Sequence, residues 1–155
     1  MSNDYLPWVE KYRPNNLEDI VLSKYNKKTL INMLNNKYIS NMLLYGPPGT
    51  GKTTTVINLI KNYQKRNNEL NKGLLIHLNA SDERGIDIIR NQIQVFVNSN
   101  GLFKQGTKFV VLDEVDYMTK NAQQALKQLI QDYNESVRYF LICNYISKVD
   151  QSLQK

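Results

Sequence analysis

Cysteine, histidine and tryptophan each occur once in the 155 residues, and proline only four times. A single cysteine, Cys143, cannot close an internal disulfide, and its place at the end of an apolar run marks it as a small buried hydrophobe. A reducing, intracellular compartment is the expectation. The single histidine, His77, has no Cys or His neighbours at ligand spacing, which excludes a zinc centre of the usual kind. Alternating within an apolar strand pattern, it reads as a core or rim residue. No apolar stretch approaches the length that crosses a bilayer, so no membrane association is expected. The first residues are polar and acidic where a secretory signal would be apolar. The acceptor-like triplets at Asn79 and Asn134 therefore carry no meaning. Internal repeats and low-complexity tracts are missing as well.

With 41% hydrophobic and 22% charged residues, the chain has enough apolar material for one packed domain and too little length for two. The net charge of +6 suits a polyanionic partner, although nucleotide-binding proteins are often mildly basic for no further reason.

The most informative segment is Gly46-Pro47-Pro48-Gly49-Thr50-Gly51-Lys52-Thr53-Thr54, a full G-x-x-x-x-G-K-[ST] pattern between a short apolar strand and a helical pattern. Its glycines let successive backbone N–H groups turn towards phosphate oxygens. Lys52 is placed to set an ammonium against the β- and γ-phosphates, the Thr53 hydroxyl to ligate Mg²⁺, and the helix start adds the positive end of its dipole. Downstream, Phe109-Val110-Val111-Leu112 runs into Asp113-Glu114-Val115-Asp116. A buried parallel strand ending in carboxylates delivers them to the sheet edge where open α/β folds bind ligands. Asp113 reads as a metal-holding carboxylate and Glu114 as the base that orients and deprotonates water. Asp116, three residues before Thr119, reads as the start of the next helix.

Around these motifs strands and helices alternate. An extended arm runs through Pro14, and Leu30, Ile31 and Leu34 imply a helix over about 25–36. Strands are expected at 42–45, 74–78, 109–112 and 138–143, with helices at 52–65, 86–97 and 119–133. Ile89, Ile93 and Phe96 share one face of the second of these. Such alternation specifies βαβ units with right-handed crossovers, a mostly parallel sheet in the α/β class with helices on both faces. The chain stops about a dozen residues after the last strand, which makes Lys155 look like a cut in a longer protein.

Three segments then acquire a common meaning. Pro7-Trp8-Val9-Glu10-Lys11-Tyr12-Arg13-Pro14, Asn79-Ala80-Ser81-Asp82-Glu83-Arg84-Gly85-Ile86-Asp87-Ile88-Ile89-Arg90 and Asp113-Glu114-Val115-Asp116 together resemble the small subunits of replication factor C, the sliding-clamp loader. The resemblance covers essentially the whole chain. It implies an AAA+ P-loop NTPase core with sheet order 5-1-4-3-2, here without the fifth strand, and a helical lid and collar beyond Lys155. Residues 1–22 form an arm that contributes to the adenine site, and 23–155 form the incomplete nucleotide-binding core.

By the same resemblance Val9, Arg13 and Val21 surround adenine and ribose. Gly46, Pro47, Pro48, Gly49, Thr50, Gly51, Lys52, Thr53 and Thr54 hold the phosphates of ATP and its Mg²⁺, and Asn144 senses the γ-phosphate. Read by itself, Asn144 is an amide past the end of an apolar strand, equally suited to opening a turn. Trp8 and Tyr12 read as aromatics that pin the arm by burial. The family assigns DNA contact to the positions of Arg84, Arg90 and Lys148, all basic here. A loader holds duplex of any sequence, so its contacts fall on phosphates. Arginines beside a helix start are also commonly solvated or paired with acids such as Asp82 and Glu83.

The implied function is that of a Mg-dependent, DNA-stimulated ATPase subunit in a hetero-oligomer, a pentamer, that opens a sliding clamp and loads it on primer-template DNA. A neighbouring subunit would supply an arginine finger, and the location would be nuclear if the source is eukaryotic. Glu114, Lys52 and Asn144 would carry the catalysis. Lys127-Gln128, where the family usually has two arginines, and the polar Val149-Asp150-Gln151-Ser152 are departures from its pattern. Competing readings are another DNA-acting AAA+ ATPase, a branch-migration motor or an initiator, and a scaffold that binds nucleotide without hydrolysing it. The segment from Asn79 to Arg90 speaks against the former and Glu114 against the latter.

Overall fold

A computed structural model of the protein describes residues 14, 19–69, 72–81, 86–99, 106–135 and 137–154. The expectations for Trp8, Val9, Tyr12, Arg13, Asp82, Glu83, Arg84 and Gly85 lie outside these residues. Helix α1 (Lys24–Asn35) precedes β1 (Met42–Tyr45), α2 (Lys52–Arg66), β2 (Leu75–Asn79), α3 (Ile86–Asn98), β3 (Lys108–Asp113), α4 (Lys120–Tyr133) and β4 (Val137–Cys143). The four strands pair in parallel in the order β1-β4-β3-β2. This is the expected α/β sheet, with boundaries within a residue or two of those read from the pattern.

Helices cover both faces because the central strands are apolar on both sides. Phe109, Val110, Val111 and Leu112 of β3 are all fully buried, each contributing about 1.5–3 kcal/mol through burial. Val110 and Leu112, with Tyr139 and Leu141 of β4, pack under Ile89, Ile93 and Val97 of α3 and Leu126 and Leu129 of α4. Phe109, Val111, Phe140 and Ile142 face the other way, towards Leu30 and Leu34 of α1 and Val56, Leu59, Ile60 and Tyr63 of α2. In α3 the fully buried stripe passes through Val97, with Phe96 only partly buried beside it, and in α1 Ile31 lies on the exposed side.

Short side chains set the helix starts. Ser23 Oγ accepts the Asn26 N–H at 3.2 Å to cap α1, and Thr119 Oγ1 accepts the Ala122 N–H at 3.2 Å to cap α4. The assignment of Asp116 as the start of that last helix is thereby corrected. Asp116 lies in a turn of 3₁₀-helix, Val115–Tyr117, and is buried. The cap falls to Thr119 because it is the extended residue immediately before α4 and its hydroxyl reaches the Ala122 N–H. Pro14 is held against α2, where Asn58 Nδ2 donates to its carbonyl at 2.8 Å.

Register brings the chemistry to one edge. Tyr45 stands beside Cys143, Leu112 beside Leu141, and Asn79 beside Asp113. All strands are parallel, so the loops that follow them leave the sheet at the same end.

Candidate nucleotide site

The loop after β1 turns through Gly49 and Gly51, with φ of +78° and +80°. A Cβ added at either meets nothing within 4 Å, so glycine is required there by backbone angle rather than by crowding. Gly51 is the residue that opens α2. Lys52 lies in the first turn, and its ammonium donates to the carbonyls of Gly46 (2.8 Å) and Pro47 (2.9 Å) and to Asn144 Oδ1 (3.0 Å). Beside it, the Thr53 hydroxyl donates to Asp113 Oδ2 at 2.7 Å. Loop, acidic strand end and Asn144 therefore converge, as the sequence led one to expect.

Gly49, Gly51, Lys52, Thr53, Asp113 and Asn144 line a cavity of about 630 Å³, whose wall His77 and Glu114 help complete. Lys52 also borders a second cavity of about 650 Å³, between the loop and α1, to which Val21, Leu22, Tyr25 and Thr50 contribute. Val21 sits at its mouth, 95% exposed.

His77 is a rim residue, with its Nε2 3.5 Å from Asp113 Oδ2. Partial burial pulls the Asp113 pKa upward. Hydrogen bonds from His77 and Thr53, the electrostatic influence of His77 and the Glu114 amide outweigh it and hold the carboxyl below its ordinary value. Asp113 is therefore an anion at neutral pH. Together with the Thr53 hydroxyl it offers two hard oxygen donors side by side, the set that suits Mg²⁺ shared with a phosphate ligand. Among the described residues no cluster of three or more His, Cys, Asp or Glu forms a self-sufficient metal site.

Two residues escaped the sequence reading. Ser81 Oγ lies 2.6 Å from Glu114 Oε2, and Glu114 itself has left-handed backbone (φ 59°, ψ 38°), strained for a non-glycine residue. Ser81 could have been found only through its register neighbour, since Asn79 pairs with Asp113. The second, Asp116, accepts the backbone N–H groups of Asn144 at 3.3 Å and Tyr145 at 3.1 Å. Its charge adds to burial in pushing the Cys143 thiol up to about 11. Of the residues expected at DNA, Arg90 is exposed on α3. Lys148 is exposed with its ammonium 5.5 Å and 5.0 Å from the ring centres of Tyr117 and Tyr145. Arg84 is not among the described residues.

A glycine-turned loop at a helix start, facing carboxylates at the end of a parallel strand two places away in the sheet, defines a P-loop nucleotide fold. Residues 42–155 match the ATPase family associated with various cellular activities (AAA), and the chain belongs to that family. Within it, the chain is 46% identical over 149 residues to Replication factor C subunit 5 of Homo sapiens, covering 96% of this chain and 43% of that protein. It is 44% identical over 153 residues to Replication factor C subunit 3 of Schizosaccharomyces pombe, covering 99% of this chain and 44% of the relative. The resemblance to replication factor C small subunits thus extends over almost the whole chain, while the chain spans less than half the length of these relatives. The Thermotoga maritima RuvB Holliday junction branch migration motor superposes with a TM-score of 0.64 at 18% identity, covering 92% of this chain and 45% of that one. At that identity the likeness speaks for the fold alone.

Proposed function

We propose that the chain is the Mg-dependent, ATP-hydrolysing module of a clamp-loader small subunit. The observation that carries the reading is the convergence of Lys52 on Asn144 and of Thr53 on Asp113 around one cavity. Residues 46–54 hold the phosphates, and the second cavity, edged by Val21, takes the adenine together with the arm of residues 1–22, including Val9 and Arg13. Residues 23–155 carry the rest of the site. Thr53 and Asp113 would hold the metal, which would supply positive charge to offset that of the phosphates. Glu114 orients a water molecule and accepts its proton on the side-chain carboxylate, and Asn144 reads the γ-phosphate together with Lys52. Ser81 holds the Glu114 carboxylate in place.

The similarity to replication factor C subunits supports the setting: a hetero-oligomeric ring, a pentamer, that opens a sliding clamp and places it on primer-template DNA. A neighbouring subunit provides the transition-state arginine, a contribution worth about 10³–10⁵ in rate in related chemistry. Arg84, Arg90 and Lys148 contact DNA phosphates, and DNA stimulates turnover. A nuclear location follows for a eukaryotic source.

The test is Glu114→Gln in the full-length complex, expected to lower turnover about 10²–10⁴-fold with ATP still bound. Unchanged turnover would favour a nucleotide-dependent scaffold instead. For DNA, Arg90→Glu should weaken binding of primed duplex and make its salt dependence shallower by about one phosphate contact. If neither moves, α3 is not the DNA-tracking helix.

A further inference from the structure

Asp116 is the fourth residue of the acidic segment, yet it does not line the nucleotide cavity. It is only 5% exposed. Burying a carboxylate to that extent costs free energy unless hydrogen bonds engage it. The engagement here is one-sided. Oδ2 accepts the Asn144 and Tyr145 amides, while Oδ1 has no hydrogen-bond partner among the described residues.

Those two amides sit where β4 ends. Pairing with β1 holds the chain as far as Cys143, opposite Tyr45, and the next residues leave the sheet. Asn144 is half-buried and Tyr145 exposed, while the bonds their amides make to Asp116 are part-buried. What the carboxylate adds is a fixed direction. It draws two successive N–H groups to one oxygen, and the Asn144 side chain, on the same residue, then meets the Lys52 ammonium at 3.0 Å.

We infer that Asp116 is a positioning residue: by holding the Asn144 and Tyr145 amides, it sets Asn144 Oδ1 against Lys52 and thereby sets how well the site distinguishes a nucleoside triphosphate from the diphosphate. The inference rests on the nucleotide reading above. The effect acts through Asn144, at the end of the site that meets the terminal phosphate, so it should appear in triphosphate affinity and leave diphosphate affinity alone. A general loosening of the fold would affect both.

The experiment is equilibrium titration of the full chain with Mg·ATP and with Mg·ADP, for the wild type, Asp116→Ala, Asp116→Asn and Lys52→Ala. Asp116→Ala should lower the ATP-to-ADP affinity ratio about tenfold, the loss expected for one charge-assisted hydrogen bond. Asp116→Asn, which keeps an acceptor oxygen for both amides, should restore the ratio to within about twofold. If the alanine variant does not fold, Asp116→Ser, whose acceptor reaches less far, gives the same readout. An unchanged ratio, an equal loss of ATP and ADP affinity, or an asparagine variant as impaired as the alanine one would each overturn the inference. Failure of the underlying reading looks different: the wild type would bind neither nucleotide, or Lys52→Ala would leave binding intact.

Discussion

Thr53 and Asp113, 60 residues apart in sequence, meet in a hydrogen bond of 2.7 Å. The bond joins the first turn of α2 to the last residue of β3 and puts a hydroxyl and a carboxylate where one cation could use both. Asp113→Asn keeps the size and removes the charge. In the full complex it should raise the Mg²⁺ concentration needed for half-maximal ATP turnover and lower the maximal rate about 10²-fold. A magnesium titration superimposable on the wild type would remove Asp113 from the metal site.

The same carboxylate gives a pH dependence with a definite sign. Its folded pKa lies below the ordinary 3.8, so the unfolded chain takes up the proton first as pH falls. The stability it contributes is present above about pH 3.8 and lost as pH drops through the lower folded value. Denaturant midpoints measured from pH 5 downwards should therefore fall more steeply for the wild type than for Asp113→Asn. Parallel curves would contradict the assignment.

Cys143 behaves in the opposite sense. Buried at the end of β4 beside Asp116, its thiol titrates near 11 rather than 9. Iodoacetamide at pH 8 should leave the native chain largely unmodified and label it readily in denaturant. Between pH 9 and 11 the unfolded thiol ionises first, so the contribution to stability present below pH 9 is lost as pH rises. Rapid labelling of the native protein would show that the end of β4 opens easily.

Thr119 caps α4 and Asp116 does not. Thr119→Ala removes the acceptor of the Ala122 N–H and should cost about 1 kcal/mol, a fall of about 2–4 °C in melting temperature for a domain of this size. A melting temperature unaffected by the substitution would return the cap to another residue.

Lys108 offers a further check on the packing of α3. Its ammonium donates to the carbonyls of Phe96, Val97 and Ser99 at the helix's carboxyl end. Lys108→Met would keep the aliphatic stem and leave those carbonyls without this donor, costing about 1.5–3 kcal/mol in chemical denaturation. A loss below about 0.5 kcal/mol would mean that water replaces the lysine without penalty.

Period and punctuation carried most of the architecture. The apolar run at Phe109 to Leu112 had to be a strand buried on both faces, and the glycine-rich loop before Lys52 had to open a helix, because each pattern satisfies its backbone in few other ways. Lys52, Thr53, Asp113 and Glu114 were legible for the same reason: each follows directly on a strand or loop that the local pattern already defined, whereas Asn144, equally suited locally to opening a turn, was singled out only by the family resemblance. Ser81 and Asp116 were not legible. Ser81 reaches Glu114 from the turn that follows β2, and Asp116 reaches Asn144 and Tyr145 across 28 and 29 residues, relations that no local spacing encodes.

The amino-acid order alone settled which segments become strands and helices and which residue types wait at their ends, since those depend on neighbours a few positions away. Only the folded sheet decided which ends meet. Parallel pairing in the order β1-β4-β3-β2 sets β4 between β1 and β3, so Asn144 emerges between the phosphate loop and the carboxylates, and Asp116 becomes its anchor rather than a helix cap. Strand order is a matter of long-range packing on two apolar faces, and that is why it, and not the motifs, determined the inner geometry of the site.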